Sequence, residues 1–235
     1  MRLIKPSYQI LTPIDNKDIL TRLEQAARIC YKSEDRITED SAKKLCKMLI
    51  DNKHESVLEH VSLSIKFVVD RGVSHELVRH RILSVSQEST RFCNYKKKGL
   101  VFITPLHLNL QPGSYTYSYQ HELNCGQSRL YYKDCEIVSH LTLEQQDFLD
   151  YLFYVEELYN DCIKNGQTPQ EARCILPNCL KTEIIITANL REIRHILRLR
   201  THKTAHPEMR QVMCQLLKEL KEKISIIFDD IEEPV

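Results

Sequence analysis

The sequence predicts a mixed α+β fold. Apolar and polar residues alternate over residues 61–69, as in a half-buried strand, whereas apolar residues recur at helical spacing over residues 142–165. A chain of 235 residues is also long enough to bury a substantial core. We therefore expect a single domain over residues 1–235 that contains both strands and helices.

The first 60 residues predict one strand and two helices. Residues 8–11 form a short strand that Pro13 closes, and apolar residues at helical spacing predict a helix over 18–31. A second amphipathic helix starts near Ser41 and runs to about residue 52. We expect this second helix to act mainly as scaffold.

The middle of the chain is less regular. After the strand at 61–69, Gly72 allows a turn into a short helix over 73–79, and a strand over 100–104 ends at Pro105. Residues 109–139 contain alternating tyrosines, which could form a strand face or a stacking platform for bases. Because no basic groove accompanies these tyrosines, we favour an excursion from the core fold.

The last part of the chain predicts longer elements. They are a helix over 142–165, a strand over 181–188, a helix over 189–200 and a helix over 212–228. Gly166 is typical of the residue that follows a helix C-terminus. Thr168 and Pro169 are typical of the cap and first position of another short helix.

The composition argues against a nucleic acid polymer or a membrane as partner. Lys+Arg 33 nearly balance Asp+Glu 32, whereas a general nucleic-acid binder carries a strong positive excess. No apolar run is long enough to span a membrane, and nine cysteines occur without a Cys-x-x-Cys pair. We therefore expect a cytoplasmic protein with reduced thiols.

Residues 79–91 concentrate groups that bind anions. Arg79, Arg81 and Arg91 offer planar forks for phosphate or carbonyl oxygens, and three serines and a threonine add hydroxyl donors. A solvated basic surface is the alternative, but such surfaces usually alternate lysine with glutamate, and the next lysine is Lys96. Since the chain has five glycines and neither Gly-x-Gly-x-x-Gly nor a P-loop, a bound nucleotide must be held by side chains and helix ends.

Residues 54–60 carry two histidines and two glutamates, but their spacing does not fit a zinc site. His54 and His60 are six apart, whereas zinc enzymes of the His-Glu-x-x-His kind place two histidines four apart on one helix face. We reject zinc, expect no metal, and interpret His60 as a structural histidine.

The polar residues around the anion-binding run follow a known pattern. The sequence has Arg79-His80-Arg81, seven residues, Ser89, one residue, Arg91 and then the aromatic Phe92. This spacing resembles the signature of the flavin-dependent thymidylate synthases (ThyX). That family often has Asn-Glu where this chain has Ser86-Gln87, and Tyr where it has Phe92.

Other stretches resemble the same family, and the resemblance covers residues 54–210. His54 to His60 is similar to a family stretch that contacts the flavin, and Ala172-Arg173 to Pro177 is similar to one whose arginine lies on the nucleotide. The helix from Asn189 to Arg200 matches at three further positions, although one branch of the family has Asn where this chain has His195.

The resemblance implies a role for each matched residue. It implies a catalytic group of Arg200, His54 and Ser89. It implies flavin binding by Ser56, Glu59, Arg79, His80, Arg81, Asn189 and His195. It implies substrate binding by Glu76, Arg79, Gln87, Glu88, Ser89, Arg91, Arg173 and Arg200.

The resemblance also implies an architecture and a reaction. The architecture is a mostly antiparallel twisted sheet packed with long helices, in a single catalytic domain that assembles as a homotetramer with shared active sites. The reaction is methylation of dUMP to dTMP, with FAD as cofactor, NADPH as reductant and methylenetetrahydrofolate as one-carbon donor. Two alternatives stay open: a related flavin enzyme that adds another one-carbon group to a pyrimidine nucleotide, and a non-enzymatic nucleotide or RNA binder.

Two further expectations concern charge. Cys93 lies near Arg91, but nothing nearby in sequence supplies the helix N-terminus or histidine that activates a thiolate, so we expect no cysteine nucleophile. The arginines of residues 79–91 and of the 189–200 helix are too many like charges for one face without anions or partner chains between them. This crowding also favours an oligomer.

Overall fold

The computed structural model describes residues 1–122 and 126–232 and has a mixed α+β fold. The strands are β1 (Arg2–Ile4), β2 (Ser7–Ile10), β3 (Ser62–Asp70), β4 (Leu83–Gln87), β5 (Val101–Ile103), β6 (Gly113–Glu122), β7 (Gly126–Lys133), β8 (Glu136–Ile137) and β9 (Lys181–Asn189). The α-helices are α1 (Asn16–Ile29), α2 (Ser41–Asp51), α3 (Arg71–Leu77), α4 (Tyr95–Lys98), α5 (Leu143–Lys164), α6 (Pro169–Ala172), α7 (Leu190–Arg200) and α8 (Pro207–Lys223).

The chain forms two compact units, each built from three separate segments. Unit 1 contains Met1–Pro6, Val68–Ser74 and Gln87–Glu183. Unit 2 contains Ser7–Phe67, His75–Ser86 and the chain from Ile184 onwards. The single catalytic domain over residues 1–235 stays a prediction.

The strands form two sheets. One has the order β5-β1-β6-β7-β8, in which β1 runs parallel to β5 and the β1–β6, β6–β7 and β7–β8 pairs are antiparallel. The other has the order β2-β3-β9-β4, which places β4 at an edge. Antiparallel pairing therefore dominates the first sheet, as expected.

The core of unit 1 lies beside α5. Thr142 caps this helix, because its hydroxyl accepts a hydrogen bond from the Gln145 backbone N–H. The Gln145 side-chain oxygen in turn accepts one from the Thr142 backbone N–H. Buried residues at i, i+3 and i+4 spacing, such as Leu149, Leu152 and Phe153, join a cluster that includes Leu3 and Phe102. The helical spacing predicted over 142–165 is confirmed.

Helix α7 organises unit 2. The Asn189 side chain caps it by accepting from the Glu192 backbone N–H at 2.9 Å. Its buried positions include Leu190, Ile193 and Leu197, and it packs against α8 and the 3-10 helix Glu55–His60. Because these apolar side chains are packed in the core of unit 2, the rotation of α7 about its axis is fixed. The direction in which each of its arginines leaves the helix is therefore fixed as well.

Several sequence predictions need correction. The tyrosines of 109–139 form a strand face, because Tyr115, Tyr117 and Tyr119 alternate along β6 in a hairpin with β7; residues 123–125 of that stretch lie outside the described residues. The last helix begins at Pro207 and ends at Lys223, not at 212 and 228. Strands β1 and β4 were not predicted.

No α-helix within residues 1–122 and 126–232 combines the length and apolar character that crossing a membrane requires. The cysteines in this part of the chain are free of disulfides, and Cys125 lies outside the described residues.

Candidate active site

Arg200, at the end of α7, is held on three sides within unit 2. Its Nε donates to His80 Nε2 at 3.1 Å, its Nη1 donates to Glu76 Oε2 at 2.6 Å, and its Nη2 donates to the Glu76 carbonyl at 3.1 Å. An arginine has five N–H groups, so two remain without a partner among the described residues. The guanidinium is therefore fixed in place with two donors available to a ligand.

His80 and Glu192 lie behind this arginine. His80 Nδ1 is 3.5 Å from Glu192 Oε1, and the two residues are only 8% and 7% exposed. Burial lowers the pKa of His80 to about 4, and the charges of Arg200 and His195 act in the same direction. Burial raises the pKa of Glu192, which His195 partly opposes. His80 is accordingly neutral near pH 7, and it can accept a hydrogen bond.

The other arginines of α7 also have carboxylate partners in unit 2. Arg191 contacts Glu59 at 2.6 Å. Arg194, which is fully buried, and Arg198 both contact Glu55 and Asp230. Burial works to raise the pKa of Glu55, but hydrogen bonds from Arg198 and Arg194 outweigh it and hold that pKa below its usual value. The charge-crowding expectation covered residues 79–91 together with this helix, and it does not hold for α7, because carboxylates of the same unit pair with its arginines.

The residues predicted to bind flavin lie in unit 2 and are mostly exposed. His54, Ser56, Glu59, Arg79, Arg81 and His195 are exposed, Asn189 is half-buried, and His80 is buried. Arg79 and Arg81 follow the end of α3, and neither has a side-chain partner among the described residues. His195 packs edge-on against His80, with ring centroids 5.8 Å apart. Two of the predicted cations are thus available to an anionic ligand.

In unit 1, Gln87 and Glu88 are tied to neighbouring side chains. Gln87 Nε2 donates to Ser74 Oγ at 2.8 Å and to Thr182 Oγ1 at 3.3 Å. Glu88 accepts from Tyr95 at 3.1 Å and from Lys181 at 3.0 Å. Both side chains are half-buried, and these contacts fix where the chain leaves β4.

Ser89 and Arg91 follow directly. Ser89 Oγ accepts from the Arg91 backbone N–H at 3.3 Å. The Arg91 Nε donates to Gln170 Oε1 at 2.8 Å, and its guanidinium lies 5.4 Å from the Phe92 ring centroid. Gln170 belongs to α6, whose C-cap is the exposed Arg173. The contact with Gln170 orients Arg91 through Nε and leaves its Nη groups for an anion.

Cys93 has a cation nearby that the sequence did not predict. Lys98 Nζ lies 3.9 Å from Cys93 Sγ. Residues 95–98 form one helical turn, which brings a lysine five positions away back to the thiol. Lys98 is neither the helix N-terminus nor the histidine that was sought in the sequence, so the expectation of no cysteine nucleophile stays a prediction.

Glu192, Gln170 and Lys181 are contact residues that the sequence prediction missed. A signal existed for Glu192, because it lies three residues after the Asn189 cap, in the first turn of a helix where an acidic residue is common. Only Asn189, His195 and the arginines of the 189–200 helix were considered as site residues, and this carboxylate was passed over. Nothing local marks Gln170 or Lys181, whose partners Arg91 and Glu88 are 79 and 93 residues away.

The fold and these two groups of side chains define a mixed α+β protein in which each unit carries an oriented arginine with N–H groups available to a ligand. Residues 14–224 match the family described as thymidylate synthase complementing protein, and the chain belongs to this family. The predicted family is thereby confirmed.

Relatives with known names are similar over most of the chain. A flavin-dependent thymidylate synthase from Corynebacterium aurimucosum is 31% identical over 220 residues, which cover 88% of this chain and 78% of the relative. Proteins of the same name from Geobacter sulfurreducens and Pyrococcus furiosus are 28% and 29% identical, over 87% and 88% of this chain and 78% and 76% of their own lengths.

A solved structure supports the fold. A UMP/dUMP methylase, PolB, from Streptomyces cacaoi, bound with 5-Br UMP, superposes with a TM-score of 0.69 at 20% identity. The match covers 97% of this chain and 95% of that chain.

Proposed function

We propose that this protein is a flavin-dependent thymidylate synthase that converts dUMP to dTMP. The observation that carries the proposal is the family match over residues 14–224. The relatives from three genera that bear this name support it. Methylenetetrahydrofolate supplies the one-carbon group, and NADPH supplies the reducing equivalents.

Arg200 is the residue that acts on the uracil ring. Its two unpartnered N–H groups are suited to the ring carbonyl oxygens, and they stabilise the enolate-like negative charge that develops there when the ring carbon, once bonded to the one-carbon group, loses its proton to a base. Because Glu76 and His80 already hold the guanidinium, it does not have to reorganise when that charge appears. Glu76 belongs to the substrate site through this contact.

The phosphate of dUMP is held by Ser89, Arg91 and Arg173, with Arg79, Gln87 and Glu88 completing the substrate-binding set. Arg91 and Arg173 are both exposed cations associated with α6: Arg91 donates to its residue Gln170, and Arg173 is its C-cap. Gln87 and Glu88 act through the backbone that they fix, since their side chains are bound to unit 1. Paired arginines favour a phosphate over a neutral group.

FAD fits the exposed polar residues of unit 2. Arg79 and Arg81 are cations without side-chain partners among the described residues, as a pyrophosphate requires. His54, Ser56, Glu59, Asn189 and His195 complete the proposed set, and His80 contributes the carbon edge of its ring, because both nitrogens face Arg200 and Glu192. When bound, the flavin carries reducing equivalents from NADPH to the one-carbon group. His54 stays close to the reacting atoms in this proposal.

The working form is a cytoplasmic homotetramer of single-domain chains with shared active sites. One reason is the number of ligands, since 235 residues have to surround FAD, dUMP and a folate. The charge-crowding reason does not apply to α7, whose arginines are paired within unit 2.

Product analysis tests the reaction. The purified protein, loaded with FAD, is incubated with dUMP, NADPH and methylenetetrahydrofolate, and the nucleotide product is identified by mass. We expect dTMP. A product with another one-carbon group, or methylation of UMP alone, would favour the related-enzyme alternative, and a protein that binds no flavin and makes no product would favour a nucleotide or RNA binder.

Arg91→Ala is expected to weaken dUMP binding while FAD binding stays within about twofold of wild type. Loss of a charge-assisted phosphate contact costs about 1.5–3 kcal/mol, which is roughly ten- to 100-fold in Kd. The measurement is a dUMP titration of the FAD-loaded variant. Lys96→Ala is the control, because it removes an exposed cation of unit 1 outside the proposed site. Wild-type dUMP affinity in Arg91→Ala would contradict the phosphate role.

Cys93→Ser and Cys174→Ser are each expected to keep most of the turnover. The reaction needs no thiolate if Arg200 and the flavin carry the chemistry, even though Lys98 lies near Cys93. Steady-state kinetics of both variants, with circular dichroism to verify folding, provide the measurement. A loss of about a thousandfold in a folded variant would mean that a cysteine is the nucleophile.

A further inference from the structure

The Glu192, His80 and Arg200 side chains form a row in unit 2, in which Glu192 and His80 are buried and Arg200 is half-buried. We propose that Glu192 and His80 are positioning residues, in which Glu192 fixes the tautomer of His80 so that His80 accepts from Arg200 and orients it for the pyrimidine. This inference rests on the proposed function for the role of Arg200. It adds Glu192, which has no role in the matched motifs, and it gives His80 a task besides flavin binding.

The direction of the Arg200 hydrogen bond follows from donor and acceptor chemistry, and it fixes which ring nitrogen of His80 carries the proton. An arginine can only donate, so His80 Nε2, at 3.1 Å from Arg200 Nε, must present a lone pair. A neutral imidazole carries its single proton on the other nitrogen, and Nδ1 faces Glu192 Oε1 at 3.5 Å. Glu192 therefore stabilises the one tautomer that can accept from Arg200.

Burial strengthens this selection. Both Glu192 and His80 are less than a tenth exposed, so water competes weakly for their polar atoms. The low pKa of His80 keeps the ring neutral near pH 7, which preserves the Nε2 lone pair. Two further hydrogen bonds, which Nη1 and Nη2 of Arg200 donate to the Glu76 carboxylate and carbonyl, fix the remaining rotation of the guanidinium.

A metal ion is the other ligand that these side chains could hold. His80, Glu192 and His195 have potential ligand atoms within 4.8 Å of one another. However, His80 Nε2 already accepts from a guanidinium, and the positive charge of Arg200 at 3.1 Å repels a cation. The tautomer role explains both nitrogen contacts of His80, whereas a metal would displace at least one of them.

Loss of the Glu192 acceptor should misplace Arg200. Without it, His80 can move its proton to Nε2, and two N–H groups then face each other across the Arg200 contact. The guanidinium must rotate or move, and its two N–H groups no longer meet the uracil carbonyls. The proposed phosphate-binding residues Ser89 and Arg91 are held by contacts with each other and with Gln170, not by this row.

The test compares Glu192→Leu with Glu192→Gln in the FAD-loaded protein. Glu192→Leu removes the acceptor, whereas Glu192→Gln keeps a carbonyl oxygen that can accept from Nδ1. We expect dUMP to bind about ten- to 100-fold more weakly to Glu192→Leu, and within about threefold of wild type to Glu192→Gln. Binding of 2-deoxyribose 5-phosphate, which lacks the pyrimidine, should change in neither variant.

Glu24→Leu is the matched control for general damage. Glu24 is a 1% exposed carboxylate of unit 2 whose partner is Arg28 in α1, so its loss disturbs a buried ion pair without touching Arg200. We expect it to lower the melting temperature and leave dUMP affinity unchanged. Equal weakening of dUMP and 2-deoxyribose 5-phosphate in Glu192→Leu, or wild-type dUMP affinity in a folded Glu192→Leu, would overturn the inference.

A second measurement separates this inference from the proposed function. The ¹⁵N shifts of His80, assigned by comparison with His80→Asn, report its tautomer without any nucleotide. We expect the Nδ1–H tautomer in wild type and Glu192→Gln, and a shift toward Nε2–H in Glu192→Leu. A wild-type protein that binds no dUMP would refute the proposed function, whereas an Nε2–H tautomer in wild type would overturn the positioning role by itself.

Discussion

Arg200→Ala is expected to lower kcat/KM for dUMP by about 100- to 1000-fold, the range measured when one preorganised donor to a developing oxyanion is removed. The structure gives the reason: three N–H groups of Arg200 are bound to His80 and Glu76, so the other two are held in a fixed direction before substrate arrives. Alanine removes both available donors at once. The measurement is steady-state kinetics on FAD-loaded protein, with product identified as dTMP.

Two further variants make this result specific. Arg200→Lys keeps the charge but has a single ammonium group, which cannot contact His80, Glu76 and a uracil carbonyl together, so we expect little recovery. Arg198→Ala is the control, because Arg198 is in the same helix and pairs with Glu55 and Asp230. Its loss should affect stability more than kcat. Turnover of Arg200→Ala within tenfold of wild type would show that another residue acts on the ring.

Helix α7 shows what the sequence can predict. The cap at Asn189 and the apolar spacing of Ile193 and Leu197 are local patterns, so the helix and its arginines are correctly placed. The partners of those arginines are not local. Glu55 is 139 residues from Arg194, and no spacing rule connects the two segments. The sequence therefore could not show that the α7 arginines need no outside anions, and that part of the charge-crowding expectation was wrong.

The edge strand β4 was missed although its pattern was visible. Leu83 and Val85 alternate with serines, which is a strand signal, but the abundance of hydroxyl groups and arginines pointed to a binding loop. These two properties are compatible, because the residues of β4 are mostly exposed at the edge of its sheet. The side chains of an exposed strand remain available to a ligand. The same residues can therefore form a strand and bind a ligand, and only the second possibility was considered from the sequence.

The predicted bounds of helix α8 were shifted because apolar residues were taken to mark both of its ends. Pro207 at the first helical position is a start signal, and the buried Met209 follows it by two positions, before the apolar run that begins at Val212. At the other end, Ile227 and Phe228 are fully buried although they follow the helix. Buried apolar residues mark the core, but they do not by themselves mark where a helix ends.

A mixture of two inactive variants is expected to recover activity. Arg91→Ala and Arg200→Ala change residues of unit 1 and unit 2, and neither variant alone should turn over dUMP at low concentration. If a homotetramer builds each site from Arg91 of one chain and Arg200 of another, random assembly leaves about a quarter of the sites with both arginines intact. Co-expression with two different affinity tags, followed by tandem purification, isolates the mixed assembly for kinetics.

The control mixture combines Arg91→Ala with Arg173→Ala. Both residues belong to unit 1, where Arg91 contacts the α6 residue Gln170 and Arg173 caps the same helix. A site that takes both from one chain stays defective in every combination, so this mixture should remain inactive. Recovery in the first mixture but not in the second identifies the shared site, because only residues from different chains can complement. Failure of the first mixture would place Arg91 and Arg200 in a site of one chain, and a monomer that stays fully active on dilution would exclude sharing altogether.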